Sequence, residues 1–173
     1  MTEKSMKRTI KAIYFLIAFL LISTSVMAFQ CKVTRVFDGD TLLCRLDHTS
    51  IKVRLAGIDA PETSNKNREV GQPYSQQAKK HLTKQVLNKV VDIKGYGIDT
   101  YNRILGELFI DSKNVNLELI QLGLAEVYKG ELPKNLDSGP FIAAEKKAKG
   151  SLKGMWVLGD KYVSPREWRK EIQ

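Results

Sequence analysis

Between residues 29 and 58 the chain runs through three short stretches rich in β-branched and apolar residues, FQCKVTRVF (29–37), TLLCRL (41–46) and IKVRLAGI (51–58), separated only by the turn-forming clusters DGD and DHTS. Connections that short join antiparallel neighbours and exclude parallel crossovers, which need a dozen or more residues. The stretch therefore predicts a three-stranded antiparallel meander. In a meander the turn between the first two strands and the exit of the third lie at the same end of the sheet. Asp38 and Asp40 sit in that turn, and Asp59 and Glu62 lie just past that exit. Asp40, Asp59 and Glu62 thus converge although they are far apart in sequence.

Cys31 and Cys44 flank the first turn almost symmetrically. A hairpin brings them near each other, and in an oxidising compartment they are expected to form a disulfide. Register decides between that bond and two half-buried small apolar residues, because Cα atoms more than about 7 Å apart cannot be bridged without backbone movement. Residues 1–28 point the same way. Lys4, Lys7, Arg8 and Lys11 precede the apolar run AIYFLIAFLLI, and SVMA ends in small residues suited to cleavage after Ala28, the pattern of a secretory signal peptide. The expectation is a secreted or periplasmic protein. The alternative is an uncleaved helix anchored in the inner membrane, since no charge falls between Lys11 and Lys32.

The remaining residues, 29–173, make one domain's worth of chain. The whole sequence carries 28 Lys+Arg against 19 Asp+Glu; four of the basic and one of the acidic residues lie in the leader, so the rest holds a formal charge of about +6. That balance suits a polyanionic partner. After a polar loop, the segment 72–90 sets Ala78, Leu82 and Val86 on one face at helical spacing. The segment 90–110 reads as two strands around a loop at 95–102, 114–124 as a helix stopped by Gly123, and 139–150 as another; the tail from 155 has no clear period. No internal repeat is evident. The order predicts an α+β fold: a five-stranded OB-fold β-barrel with about three α-helices.

Three acidic groups in one place repel unless something positive joins them, and hard oxygen ligands suit calcium or magnesium. Arg54 lies on the third strand between apolar residues, and Arg103 opens the fifth. Arginine beside a carboxylate-bound cation is what bidentate grip of a phosphate requires. The alternative for each arginine is a structural ion pair, such as Arg54 with Asp40 or Asp59. His48 and His81 read as a turn residue and a solvated helix residue.

The ordered spacing adds to this. DGDTLLC, nine residues, then RLAGIDAPE resembles, position for position, the active-site signature of the staphylococcal nuclease (thermonuclease) family. DTYNRILG (99–106) is similar to that family's D-x-Y-G-R loop and strand, VNLELIQLGLAEVY to its helix ending in Q-G-L-A, and AEKKAKGSLKGMW and SPREWRK to segments of secreted bacterial relatives. The resemblance covers nearly all of residues 29–173. It implies a calcium-dependent endonuclease acting on DNA and RNA, by analogy at the 5′ P–O bond to leave 3′-phosphate ends. It further implies calcium held by Asp40, Asp59 and the Ala60 backbone carbonyl, with Thr41 reaching it through water, and Asp38 behind these or in the turn. Glu62 matches the general base, Arg54 and Arg103 the phosphate-gripping pair, and Tyr101 a tyrosine beside the substrate phosphate. Tyr128 is either a base-stacking aromatic or a core residue. Single strands are expected to be preferred, since open backbone and unstacked bases enter an OB groove more easily. A monomer without a protein partner is expected. The alternative is a catalytically weak OB-type nucleic-acid-binding module. Two residues depart from the family pattern: Asn102 stands where glycine is usual, on a backbone that asparagine tolerates in left-handed form, and Thr100 stands where lysine is common.

Overall fold

The computed structural model describes residues 27–64 and 70–170. The leader lies outside them except for Met27 and Ala28, which pair with Gly95 and Lys94; a chain cut after Ala28 would keep the four pairs from Phe29 to Lys32. Five strands close on themselves: β1 (Met27–Val36), β2 (Thr41–Leu46), β3 (Thr49–Leu55), β5 (Val90–Ile98) and β6 (Ile104–Ile110). β1 pairs antiparallel with β2 and β5, β2 with β3, and β5 with β6. A parallel pairing of β3 with β6, Val53 to Leu55 against Ile104 to Gly106, shuts the barrel. β7 (Lys113–Asn114) extends β6, and β4 (Ile58–Asp59) pairs with β8 (Glu126–Val127) in a separate ribbon. The barrel is the expected OB-type architecture.

Alternation fills its interior. Val33, Leu42, Cys44, Val53, Leu55, Ile93 and Leu108 are buried on the inner face, each aliphatic side chain contributing about 1.5–3 kcal/mol on removal from water. Helix α1 (Ser75–Val86) caps the barrel with Ala78, Leu82 and Val86, as their spacing predicts, and α2 (Val115–Gln121) adds Leu119 and Ile120. Buried Asn116 ties the closure together: it donates to the carbonyls of Ala56 and Gly106 and accepts from the Leu108 N–H. The disulfide forms. Cys31 and Cys44 have Cα atoms 5.5 Å apart, within bridging range.

Several boundaries differ from those expected. The third strand does not run to residue 58; Gly57 takes φ 79° after Leu55, and the chain turns before β4. The loop expected at 95–102 shrinks to five residues, because β5 continues to Ile98 across a bulge at Gly95–Gly97. Helix α1 starts at Ser75 and not at 72, since Tyr74 is left-handed (φ 69°), and α2 ends at Gln121, ahead of Gly123 at φ 66°. Helix α3 (Gly139–Gly150) matches its expected span. The tail without a period holds 3-10 helix across Gly154–Lys161, kinked at Gly159 (φ 52°), and helix α4 (Pro165–Lys170). Met155 and Trp156 bury against Ala148, and Trp156 packs on Tyr162 with ring centroids 4.6 Å apart. Neither segment is long enough to show a 3.6-residue stripe.

Candidate active site

The DGD turn is built for packing as much as for chain reversal. A Cβ at Gly39 would lie 2.7 Å from the Cβ atoms of both Ala60 and Ala78, so the turn fits only glycine between the strand-three exit and α1. That close approach brings Asp40 to Asp59. Asp38 accepts the Asp40 N–H at 3.0 Å, and burial, followed by the Asp40 charge, pushes its carboxyl up to about 7. Asp40 is 4% exposed; its Oδ2 accepts the Ala60 N–H (3.0 Å), and its Oδ1 accepts from Thr41 Oγ1 (2.8 Å) and Arg54 Nη1 (2.9 Å). Arg54 reaches Asp59 Oδ1 with Nη2 at 2.9 Å. Asp59 is 1% exposed, directed inward by its pairing with Glu126. Burial opposes the Arg54 charge, but Asp40 and Asp59 outweigh it and raise its pKa above the ordinary arginine value.

A second guanidinium completes the cluster. Arg169, on α4, donates from Nη1 to Asp59 Oδ1 (3.0 Å) and Glu62 Oε1 (2.6 Å), and from Nη2 to Asp59 Oδ2 (2.7 Å). Its charge, too, is held against burial, by Asp59 and Glu62. Gln72 fixes the backbone of the proposed base: its Oε1 accepts the Glu62 N–H (3.1 Å), its own N–H donates to the Glu62 carbonyl (2.8 Å), and its Nε2 donates to the Val163 carbonyl (2.7 Å). Asp40, Asp59 and Glu62 therefore do meet, and the positive partner that their convergence demands is supplied by Arg54 and Arg169.

Arg103 stands on the β5–β6 turn. Asp99 Oδ1 accepts the N–H groups of Tyr101 (2.9 Å) and Arg103 (3.0 Å), while Oδ2 takes Arg103 Nε (2.8 Å) and Nη2 (2.7 Å). Asn102 is left-handed at φ 58°, the geometry expected where the family has glycine. The Arg103 guanidinium lies 5.2 Å from the ring centroid of Tyr101, which is 78% exposed. Tyr128 is half-buried, its ring centroid 5.7 Å from the Arg54 guanidinium, and it faces the site rather than the core. Arg54, Glu62, Tyr101, Arg103, Tyr128 and Arg169 line one cleft of about 360 Å³. His48 is an exposed turn residue; His81 bonds Glu118 at 2.8 Å and ties α1 to α2, well supported but outside this cleft.

Asp40 and Asp59 offer buried carboxylate oxygens, the donor type a hard divalent cation takes, so their chemistry fits one. Among the described residues, no three His, Cys, Asp or Glu side chains are disposed as a ready metal cluster. Guanidinium N–H groups lie against the carboxylate oxygens of Asp40, Asp59 and Glu62 instead. Arg169, Gln72 and Asp99 have roles that sequence reasoning did not assign. The demand for positive charge among three carboxyls was the available signal for the first, but nothing in the tail's pattern pointed to it.

Comparison with known proteins agrees with the geometry. The family described as staphylococcal nuclease homologue matches residues 52–157. An uncharacterized endonuclease of Haemophilus influenzae is 34% identical over 142 residues, covering 82% of this chain and 73% of that protein. The probable endonuclease LCL3 of Komagataella phaffii is 35% identical over 132 residues (73% of this chain, 57% of that one), and its counterpart in Pyricularia oryzae 36% over 126 residues (69% and 49%). The matched segment thus spans only about half of the fungal relatives.

Proposed function

The chain belongs to the staphylococcal nuclease homologue family, and on that footing we propose that it is a calcium-dependent endonuclease hydrolysing phosphodiester bonds of DNA and RNA. The observation that carries this reading is the convergence of Asp40, Arg54, Asp59 and Glu62 at one end of the barrel, beside a cleft walled by Arg54, Glu62 and Arg103. Calcium held by Asp40, Asp59 and the Ala60 carbonyl, with Thr41 contributing through water, would supply positive charge beside the scissile phosphate.

The remaining work falls to side chains of this chain. In-line attack of water on phosphorus builds charge on the non-bridging oxygens, and Arg54 and Arg103 are the groups to grip them bidentately, more strongly in the transition state than in the ground state. Glu62, its backbone held by Gln72, accepts the proton of the attacking water. The 5′ oxygen leaves and is protonated, giving a 3′-phosphate and a 5′-hydroxyl. Tyr101 lies beside the phosphate, and Tyr128 offers a face for a base. Single strands are preferred, the working unit is a monomer without a protein partner, and the protein acts in a secreted or periplasmic setting. The Cys31–Cys44 disulfide supports that setting, because such bonds persist in oxidising compartments.

Product-end analysis tests the reading. Purified protein is incubated with single-stranded and duplex DNA and with RNA, in calcium or EDTA. The expected outcome is calcium-dependent internal cleavage with 3′-phosphate ends and faster loss of single strands. Binding without cleavage in calcium would mark a nucleic-acid-binding module, and 5′-phosphate ends would refute the bond assignment.

A further inference from the structure

Asp59 is the carboxylate most heavily claimed. Its Oδ1 accepts from Arg54 Nη2 and Arg169 Nη1, and among the described residues its Oδ2 accepts from Arg169 Nη2 alone. Both lone-pair positions of Oδ1 are thus taken, so a cation that engages this oxygen must displace a guanidinium, and the two candidates differ in how they are held. Arg54 sits in the middle of the barrel wall, its side chain 15% exposed, and also holds Asp40. Arg169 belongs to a peripheral helix, its side chain is 33% exposed, and it makes no contact with Asp40. Helix α4 is fastened to the body at its other end: Pro165 and Ser164 are buried, Gln72 bonds the Val163 carbonyl, and Ser164 exchanges hydrogen bonds with Glu167 in a capping box. The last turn of α4 can loosen and carry Arg169 away while Ser164 and Pro165 stay seated.

We propose that Arg169 is a positioning residue that holds Asp59 and Glu62 when no cation is bound and yields Asp59 to the divalent cation, so that the C-terminal helix and the metal compete for one carboxylate. This rests on the calcium reading of the site above. The exchange has a functional consequence: the movement that admits the cation also removes Arg169 from Glu62 Oε1, so metal binding and the loss of that contact are one event.

Calorimetric titration of the full chain with calcium, together with hydrogen exchange across residues 165–170, tests it. Arg169→Gln should bind calcium about tenfold more tightly, the scale of one charge-assisted contact, with Arg169→Lys intermediate. In the unsubstituted protein calcium should speed exchange at 165–170, the reverse of ordinary ligand protection; in Arg169→Gln exchange there should be fast already and indifferent to calcium. Equal or weaker calcium binding by Arg169→Gln, or slower exchange at 165–170 in calcium, would overturn the proposal while leaving a calcium site standing. No binding by either protein would remove the calcium reading and this proposal together.

Discussion

Arg54 separates a structural from a catalytic account of the site, because it is both the buried counter-ion of Asp40 and Asp59 and a proposed phosphate ligand. Arg54→Met keeps most of the side chain's apolar length and removes the charge. In the cation-free protein this leaves Asp40 and Asp59, 4% and 1% exposed, short of one guanidinium. Removing one partner of a buried ion pair costs about 3–5 kcal/mol. The low end applies here, since Asp40 keeps the Thr41 and Ala60 hydrogen bonds and Asp59 keeps Arg169. With a urea m-value of about 2 kcal/mol/M, a loss of about 3 kcal/mol moves the midpoint down by roughly 1.5 M.

The assay is equilibrium urea unfolding in EDTA, followed by the fluorescence of Trp156 and Trp168. Adding Asp40→Asn should recover part of the loss, because neutralising the stranded carboxyl removes the cause. Saturating calcium should recover part too, whereas turnover should stay down by about 10²-fold or more, the usual effect of deleting a group that stabilises transition-state charge. A midpoint within about 0.3 M of the parent's, or a double variant no better than Arg54→Met, would refute the counter-ion argument. Recovery of full turnover in calcium would refute the phosphate role.

Three further outcomes are expected. Glu62→Gln should lower turnover by about 10²–10⁴-fold with calcium affinity retained by calorimetry; near-normal turnover in a calcium-binding variant would end the general-base assignment. Replacing Cys31 and Cys44 by alanine opens a loop of sequence separation 13 and should cost about 3 kcal/mol in urea unfolding; an unchanged midpoint would show that the hairpin's register does not need the bond. Burial would raise the Asp99 carboxyl, but the Arg103 guanidinium and the Arg103 and Tyr101 amides outweigh it and hold its pKa below the ordinary 3.8. A lowered carboxyl supports the folded loop above its unfolded pKa and loses that support as pH falls through the folded value, so the Arg103 Nε–H signal in NMR should survive to about pH 4 and fade only below it. Fading at higher pH would contradict that tie.

What the sequence revealed, and what it hid, follow from the range over which each interaction acts. The meander was legible because turn clusters and alternation are local, and the convergence of Asp40, Asp59 and Glu62 followed from strand connectivity alone. Ala78, Leu82 and Val86 were legible because a helix repeats its buried face. The break at Gly57 was not, since a glycine in an apolar run has no local sign of a positive φ; yet it is this break that turns Asp59 out of the barrel strand and into the ribbon with Glu126. Arg169 was out of reach for another reason. Its partners lie 107 and 110 residues away, and the short helix that carries it lacks a periodic stripe to betray which side faces the body.

The division of labour in the cleft has a physical logic. Asp40 and Asp59 lie at the ends of paired strands, beside a Gly39 so close to Ala60 and Ala78 that no side chain fits there. Groups proposed to hold a cation at fixed distances would gain from such rigidity, because preorganised charge costs no rearrangement at the moment of reaction. Tyr101, Arg103 and Arg169 come instead from a surface turn and a terminal helix, and each is held by ionic or polar contacts rather than by packing. A polymer of varying sequence and shape needs partners that can shift as it threads the cleft. On the proposed reading, an Asp99 that holds Arg103 until a phosphate competes, like an Asp59 that holds Arg169 until a cation does, would keep such side chains near their working positions without fixing them there.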